Sequence, residues 1–113
     1  MSTRDEAIAN VYATSLLDLA FEKGVHAEIV AELRGFDQVL EREPDFTAFL
    51  NTPNIRREVK KDLVTRVFGP AVSDFTLNFL KVVIDKRRQG ALRSIIRAFV
   101  DGYHQRMGEL VVK

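Results

Sequence analysis

Few side chains in this 113-residue chain have the type and spacing that enzyme chemistry requires. Neither of the two histidines, His26 and His104, has a carboxylate or a second histidine at metal-ligand spacing within its own predicted helix. Ser15, Ser73 and Ser94 have no partnered general base nearby in the sequence. The sequence also contains no Gly-rich phosphate-binding loop. The absence of cysteine excludes disulfides, thiolate metal sites and cysteine nucleophiles. We therefore expect no catalytic residue, no metal and no cofactor, and we expect both histidines to be solvated.

The charge balance argues against a dedicated nucleic-acid-binding protein. The chain has 17 Lys and Arg against 16 Asp and Glu, a net charge of +1, whereas counterion release on nucleic acid requires many phosphate contacts. Two basic segments keep a helical nucleic-acid-binding or regulatory domain open as an alternative, namely IRREVKKDLVTR (55–66) and DKRRQGALRSIIR (85–97). The simpler interpretation is a set of solvated helix faces, with Arg93 and Arg97 on the exposed side of the last helix.

Proline and glycine divide the chain into six segments with helical periodicity. Pro44, Pro53 and Pro70 fall between or at the start of these segments, and strand-type alternation is nearly absent. We therefore predict an all-α fold, a six-helix bundle, with Gly24 ending the first helix and Ser73 or Asp74 capping the fifth. The predicted helices cover about residues 4–23, 26–42, 44–50, 55–68, 74–87 and 92–107. In the fourth helix, the residues expected to face inward are Val59, Leu63, Val64, Val67 and Phe68.

The first and fifth helices carry more apolar surface than a helix on the outside of a small domain needs. At about 100° per residue, their apolar residues spread over roughly 280° and 220° of the helical wheel, against about 100° for a surface stripe. Either both helices are central and buried by the other four, or they lie side by side and leave a shared apolar groove. Such a groove would suit an amphipathic helix of another protein. Periodicity alone leaves both arrangements open.

The end of the chain differs from the rest. Residues 109–113, ELVVK, follow Gly108, are apolar and β-branched, and lack a helical period, so we expect them to begin a strand. Because a single strand is not stable alone, this tail is either disordered or the start of a further domain. We therefore assign residues 1–107 to the helical domain and residues 108–113 to a short tail that would begin a missing second domain.

Three stretches, taken in order, resemble the N-terminal domain of the delta subunit of F-type ATP synthase, called the oligomycin-sensitivity-conferring protein in mitochondria. The first is IANVYATSLLDLAFEKG, with the Ala-x-x-Tyr-Ala arrangement at Ala9, Tyr12 and Ala13. The others are LNTPNIRREVKKDLVTRVFG, between helices three and four, and NFLKVVIDKRRQGALRSIIRAF, with the family's Asn-Phe-Leu-Lys run. The family often has Asn-Gly-Arg where residues 86–88 are Lys-Arg-Arg, so we expect the turn after the fifth helix to differ in shape.

The resemblance implies a non-catalytic role in proton-driven ATP synthesis. The family's N-terminal domain is a six-helix bundle on top of the catalytic head, and it binds the N-terminal amphipathic helices of the alpha subunits. The part beyond this chain would bind the b subunits of the peripheral stalk, so that the head is held still while the central shaft turns. The implied location is the cytoplasmic face of a bacterial membrane, with membrane association only through the complex and no nucleic-acid partner.

The resemblance also implies where the alpha helix would bind, between the first and fifth helices. Ser15 is small enough to let an incoming helix approach, and Tyr12 offers an apolar ring with a hydroxyl that can remain in water. Leu16 and Phe79 fit a core position as well as a groove position. The residues carried over to the groove are Tyr12, Ser15, Leu16 and Leu19 from the first helix and Asn78, Phe79, Val82, Val83 and Lys86 from the fifth.

Overall fold

The computed structural model describes the backbone of residues 3–111 and the side chains of residues 6–109. Within this part of the chain the fold is all-α with six helices and no strand, which confirms the predicted fold class. A short 3-10 turn, Gln89–Ala91, precedes the last helix. The helices are α1 (Thr3–Glu22), α2 (His26–Arg42), α3 (Pro44–Asn51), α4 (Arg57–Phe68), α5 (Asp74–Asp85) and α6 (Leu92–Val111).

The larger part of the core lies between α1, α2 and α6. α1 packs along α6 more extensively than any other pair of described helices, and α2 packs on α6 as well. The buried side of α1 carries small residues, and a Cβ at Gly102 of α6 would lie only 2.7 Å from Leu17 Cδ2, so the two helices approach closely. The fully buried side chains from α2 and α6 in this region are Ile29, Leu33, Leu92, Ile95 and Phe99.

α4 and α5 form an antiparallel pair. Arg57 at the start of α4 donates from Nη1 to the backbone carbonyl of Asp85 at the end of α5 (2.8 Å), and Lys61 Nζ lies 2.7 Å from Asp85 Oδ1. The hydrogen bond from Lys61 is the main cause that lowers the pKa of Asp85 from its ordinary value. Of the closely packed helix pairs, α5 on α2 is the one that links this hairpin to the rest of the described bundle.

The carboxylate of Glu32, on α2, holds the start of α5. Its Oε2 accepts a hydrogen bond from the backbone N–H of Ser73 (2.8 Å), and its Oε1 accepts from the hydroxyls of Ser73 (2.9 Å) and Thr76 (2.5 Å). Ser73 is the N-cap of α5, as predicted, and Thr76 is fully buried. The positive end of the α5 dipole also favours a carboxylate at this position. Glu32 therefore fixes where α5 begins relative to α2.

A cluster of three aromatic rings joins α3 and α4 to α2. The ring centroids of Phe36 and Phe68 lie 4.8 Å apart, and Phe46 packs 6.1 Å from Phe36 and 5.7 Å from Phe68. Tilted and edge-on pairs at these distances are favourable arrangements for aromatic rings. α3, which begins at Pro44 as predicted, is thereby attached to the bundle although it has only two turns.

α4 turns a different face inward from the one that the sequence suggests. Val64 and Phe68 are buried as expected, but Val59 and Val67 are 48% and 55% exposed, so the expectation that they face inward is wrong. Lys60 is buried instead, with 3% exposure. The spacing of the apolar residues of α4 predicts a broad apolar face on this helix. The packing of α4 on α5 determines which part of that face is buried.

α6 continues through Gly108 to Val111, so the expectation of a strand is wrong for residues 109–111. Residues 112 and 113 lie outside the described residues. Leu and Val lower helix propensity by no more than about 0.7 kcal/mol each, and every residue added to an existing helix gains a hydrogen bond. A strand would need a partner to be stable. The division into a domain of residues 1–107 and a tail of residues 108–113 stays a prediction, and α6 crosses that boundary.

The turn after α5 has a backbone geometry that suits glycine. Arg87 has φ +58°, its N–H donates to the Ile84 carbonyl, and the Arg88 N–H donates to the Val83 carbonyl, both at 2.9 Å. This is the Schellman pattern, and α1 ends in the same way at Gly24 with φ +71°. The arginine is therefore held in a conformation that glycine adopts more readily, and the expected difference from the family's turn stays a prediction.

Replacing Glu32 with alanine should lower the free energy of unfolding by about 2–3 kcal/mol, because Ser73 and the buried Thr76 lose a charged acceptor. Glu41→Ala removes an exposed carboxylate from the same helix, and we expect it to change stability by no more than about 0.5 kcal/mol. Urea denaturation followed by circular dichroism measures both variants. Equal losses in the two variants would contradict the role given to Glu32.

Replacing Arg87 with glycine should raise the free energy of unfolding by about 0.5–1 kcal/mol. Glycine adopts a positive φ without the steric cost that arginine incurs, and this gain exceeds the extra entropy that glycine has in the unfolded chain. Arg88→Gly, at the next position, lacks this relief and should be neutral or destabilising. Thermal unfolding of both variants at equal concentration tests the comparison, and a destabilised Arg87→Gly would contradict it.

The Lys61–Asp85 pair should make part of the stability depend on pH in the acid range. Because the pKa of Asp85 is lower in the folded chain than its ordinary value of 3.8, its contribution is present above that value and is lost as the pH falls through the folded-state pKa. The stability difference between the unaltered chain and Asp85→Asn should therefore shrink between pH 5 and pH 2. Urea midpoints across this range test it, with Asp62→Asn as the control on an exposed carboxylate of α4.

Candidate functional site

The outer side of α1 carries an apolar row that no other part of the described chain covers. Val11, Ser15 and Leu19 follow one another at intervals of four residues, which places them on one face of the helix. Val11 is 66% exposed and Leu19 41% exposed, and Ser15 between them is exposed as well. Tyr12 lies at the edge of this row, half-buried against the core.

α5 presents a second apolar row to solvent. Val82 is 46% exposed, and Asn78, one turn before it, is also exposed. Phe75 and Phe79 flank them and are half-buried against the core. Lys86, the C-cap of α5, is exposed at the end of this row. The row is therefore aromatic and aliphatic along its length and cationic at its end.

Two residues carried over from the resemblance are core residues. Leu16 is 7% exposed and Val83 is fully buried, so the expectation that they line an accessible groove is wrong. A helical wheel explains the difference, since each lies about 100° from the centre of the exposed row on its helix, Ser15 and Val82. Leu16 and Val83 support the exposed rows from below. Of the nine groove residues inferred by resemblance, the other seven are exposed or half-buried.

Sequence reasoning missed two residues of these rows. Val11 is the most exposed of the large apolar side chains in the described chain, and Phe75 lies two turns before Val82 on the same side of α5. The spacing of four and seven residues would have identified both.

α1 and α5 are joined through a third helix. α1 packs mainly on α6, α5 packs mainly on α4, and both of them pack on α2. They are not among the pairs whose backbones approach closely. The two helices that carry the apolar rows therefore both pack on α2, and they do not pack closely on each other.

One histidine is packed among aromatic rings, contrary to expectation. His26 opens α2 as predicted, but its ring stacks on Phe21 with the centroids 4.0 Å apart, and its Nδ1 is enclosed without a hydrogen-bond partner. Tyr103 packs on the same pair at 6.1–6.3 Å, and the Arg106 guanidinium lies 5.3 Å from the centre of the Phe21 ring. His104 is exposed, as expected. The Phe21–His26 contact ties the end of α1 to the start of α2.

Several cations of the two basic segments serve to hold helices together. Arg93 donates from Nε to Asp37 Oδ1 of α2 at 2.9 Å, and this hydrogen bond is the main cause that raises the pKa of Arg93. Arg93 is therefore an interhelical ion-pair partner and not merely a solvated residue, whereas Arg97 is exposed as expected. Arg57 and Lys61 attach α4 to α5 in a similar way.

The described residues contain no arrangement typical of a metal site or a membrane span. Among them, no group of three or more His, Asp and Glu side chains is placed to hold a metal ion. None of the helices in this part of the chain is both long and apolar enough to cross a membrane. The exposed apolar rows of α1 and α5 are thus the candidate functional surface, and they point to binding of another protein.

Comparison with known proteins gives a consistent result. The family model described as ATP synthase delta (OSCP) subunit matches residues 8–113. The chain is 39% identical over 94 residues to ATP synthase subunit delta of Desulforudis audaxviator, which covers 83% of this chain and 52% of the relative. It is 33% identical over 107 residues to that of Carboxydothermus hydrogenoformans (95% and 60% covered), and 37% identical over 93 residues to the chloroplastic subunit of Galdieria sulphuraria (82% and 52%).

The chain spans about half the length of the curated relatives that it matches. The matched region nevertheless extends over nearly all of the chain, from the first helix to the last residue. The match and the six-helix all-α fold agree. The chain therefore belongs to the ATP synthase delta (OSCP) subunit family, whose members are structural and not catalytic subunits.

Proposed function

We propose that this chain binds the N-terminal amphipathic helix of an ATP synthase alpha subunit in a groove bordered by α1 and α5. The observation that carries the proposal is the exposure of Val11, Leu19 and Val82 on those two helices. Contiguous exposed apolar side chains on a small domain typically mark an interaction surface. The family membership supplies the partner that such a surface would bind.

The two helices that border the proposed groove pack mainly on different neighbours, α1 on α6 and α5 on α4. This arrangement would leave space for a partner helix between them. Because α1 and α5 each pack on α2 and not closely on each other, we infer that α2 lies between the two walls and that the partner helix lies above it. The groove in this form keeps seven of the residues inferred by resemblance and adds Val11 and Phe75. Its members are Val11, Tyr12, Ser15 and Leu19 on α1 and Phe75, Asn78, Phe79, Val82 and Lys86 on α5.

The chemistry of the groove defines the partner face. An incoming helix would place apolar residues at intervals of three and four against Leu19, Phe79 and Val82. Ser15 lets the partner backbone come close at the middle of α1, where a larger side chain would hold it away. Lys86 would favour an acidic residue of the partner at that end. The affinity depends on how well these residues are covered and on the free-energy cost of ordering the alpha tail.

In the complex, the bound alpha helix would attach this domain to the catalytic head, and the part of the relatives beyond the matched region would attach to the b subunits of the peripheral stalk. Such a link must withstand torque, so a tight apolar interface with slow dissociation suits it. We place the complex at the cytoplasmic face of a bacterial membrane, with this chain as a peripheral component. Family membership favours this role over a nucleic-acid-binding or regulatory domain.

Ser15→Asp should weaken the binding of a synthetic alpha N-terminal peptide about tenfold or more, because a charge would be buried against an apolar helix without a partner. Thr14→Asp is the matched control, since Thr14 is exposed on the same helix and lies about 100° from Ser15 on the wheel. Isothermal titration calorimetry measures the affinities, and circular dichroism checks that both variants keep the helical content of the unaltered chain.

Two results would overturn the proposal. The first is an unaltered chain that does not bind the alpha peptide, and the second is an equal loss of affinity in both aspartate variants. Val82→Asp on α5 tests the opposite wall, with Thr14→Asp again as the control. Loss of binding in Ser15→Asp but not in Val82→Asp would restrict the site to α1.

A further inference from the structure

A polar cleft of about 540 Å³ lies at the start of α4, and none of its lining residues belongs to the proposed groove. Its walls come from the loop between α3 and α4, from the first turn of α4 and from the turn after α5. Four cationic side chains, Arg56, Arg57, Lys60 and Arg87, line it, against one acidic side chain, Glu58. The excess of positive charge here contrasts with the near-neutral chain as a whole.

Lys60 is the strongest sign that the cleft holds an anion. The residue is only 3% exposed, yet no described residue accepts a hydrogen bond from its ammonium or forms an ion pair with it. Its Nζ is not among the fully enclosed polar atoms that lack a partner, so the ammonium still reaches the cleft. A buried charge normally has a partner, because its removal from water is costly. Within the described chain the ammonium has no partner, and an anion in the cleft would supply one.

The start of α4 carries two cations, Arg56 and Arg57, beside one acidic residue of its first turn, Glu58. No side chain caps this helix end, so the N–H groups of Arg57 and Glu58 are left without a capping acceptor, whereas the Val59 N–H donates to the Arg56 carbonyl. Arg56 is the N-cap, Arg57 is the first helical residue, and Lys60 points back toward this end from the same helix. Cations are unfavourable at a helix N-terminus, whereas a bound anion would be stabilised by the dipole, the N–H groups and the cations together.

Two further residues that line the cleft are in an unfavourable state, one in its backbone conformation and one in its hydrogen bonding. Arg87 holds a left-handed backbone conformation that is unfavourable for arginine. Gln89 Oε1 is enclosed without a hydrogen-bond donor. Both residues come from the turn after α5, which faces the start of α4 across the cleft. A strained backbone beside a cleft, as at Arg87, often occurs at a binding site.

We propose that this cleft binds a phosphoryl group, either as inorganic phosphate or as the phosphate of a nucleotide. A tetrahedral phosphate offers several acceptor oxygens and so can bond to helix N–H groups, an arginine fork and an ammonium at once. A carboxylate has only two oxygens, and it satisfies fewer of these groups.

The test is an amide-resolved NMR titration of the 113-residue chain with potassium phosphate, with the ionic strength held constant by potassium chloride. We expect saturable shifts of the Arg57 and Glu58 amides. A parallel titration with ADP distinguishes the two sources, since equal affinity indicates recognition of the phosphoryl group alone and tighter binding indicates a nucleotide. Shifts that rise linearly without saturation, or an equal affinity for acetate, would overturn the proposal.

Three variants distinguish specific phosphate binding in the cleft from a nonspecific effect of positive charge. Lys60→Met keeps the length of the buried side chain, and we expect it to weaken phosphate binding about tenfold or more. Arg87→Gly should also weaken binding while it keeps the chain folded. Arg66→Gln, at the other end of α4 and outside the cleft, removes the same charge and should leave the affinity unchanged. Equal losses in Lys60→Met and Arg66→Gln would overturn the site, and the outcome is independent of whether the alpha peptide binds.

Discussion

The hydrogen bonds of Glu32, together with the cluster of Phe36, Phe46 and Phe68, hold the α4–α5 pair on α2. α4 and α5 pack on each other, α1 packs on α6, and α2 is the helix that α1 and α5 have in common. The Glu32 carboxylate attaches the N-terminus of α5 to α2 through Ser73 and the buried Thr76. The separation of the two proposed groove walls is thus set by a partly buried polar network. Because hydrogen bonds are directional, such a network fixes orientation more closely than apolar contact alone would.

α1 has apolar residues on both its inner and its outer side. The side that faces the core has Ala9, Ala13 and Ala20 together with the larger Leu16 and Leu17, whereas Val11 and Leu19 are exposed. The small residues allow α6 to approach closely, and Val11 and Leu19 remain on the outer side. α5 has the more usual arrangement, with Leu80 and Ile84 in the core, and it keeps only part of its apolar surface exposed. The excess therefore belongs to the surface that a partner helix would cover.

The sequence was sufficient to predict the features that depend on local signals, such as helix ends. It was insufficient to predict which face of a helix is buried, because that depends on the neighbouring helices. Gly24, Pro44 and Ser73 identified helix ends because their backbone and capping preferences act within a few residues. The prediction of which side of α4 faces inward was wrong, and so was the assignment of Leu16 and Val83 to the groove. Both errors have one cause, since a helical wheel identifies the apolar faces of a helix but not the neighbouring helix that covers each face. The strand expected at the end of the chain was wrong for a related reason, since residue preference is weak beside the continuation of a helix that is already formed.

The cations of the two basic segments divide into three groups, namely those with a carboxylate partner, those that line the cleft, and those that are exposed elsewhere, such as Arg66 and Arg97. Lys61 and Arg93 have carboxylate partners on neighbouring helices and form partly exposed ion pairs. Arg56, Lys60 and Arg87 have no such partner among the described residues, and all three line the same cleft. The convergence of these three cations beside an uncapped helix end is the basis of the proposed anion site. Because this cleft is polar and cationic while the proposed groove is mainly apolar, the two proposed sites differ in chemistry, and each could be filled without the other.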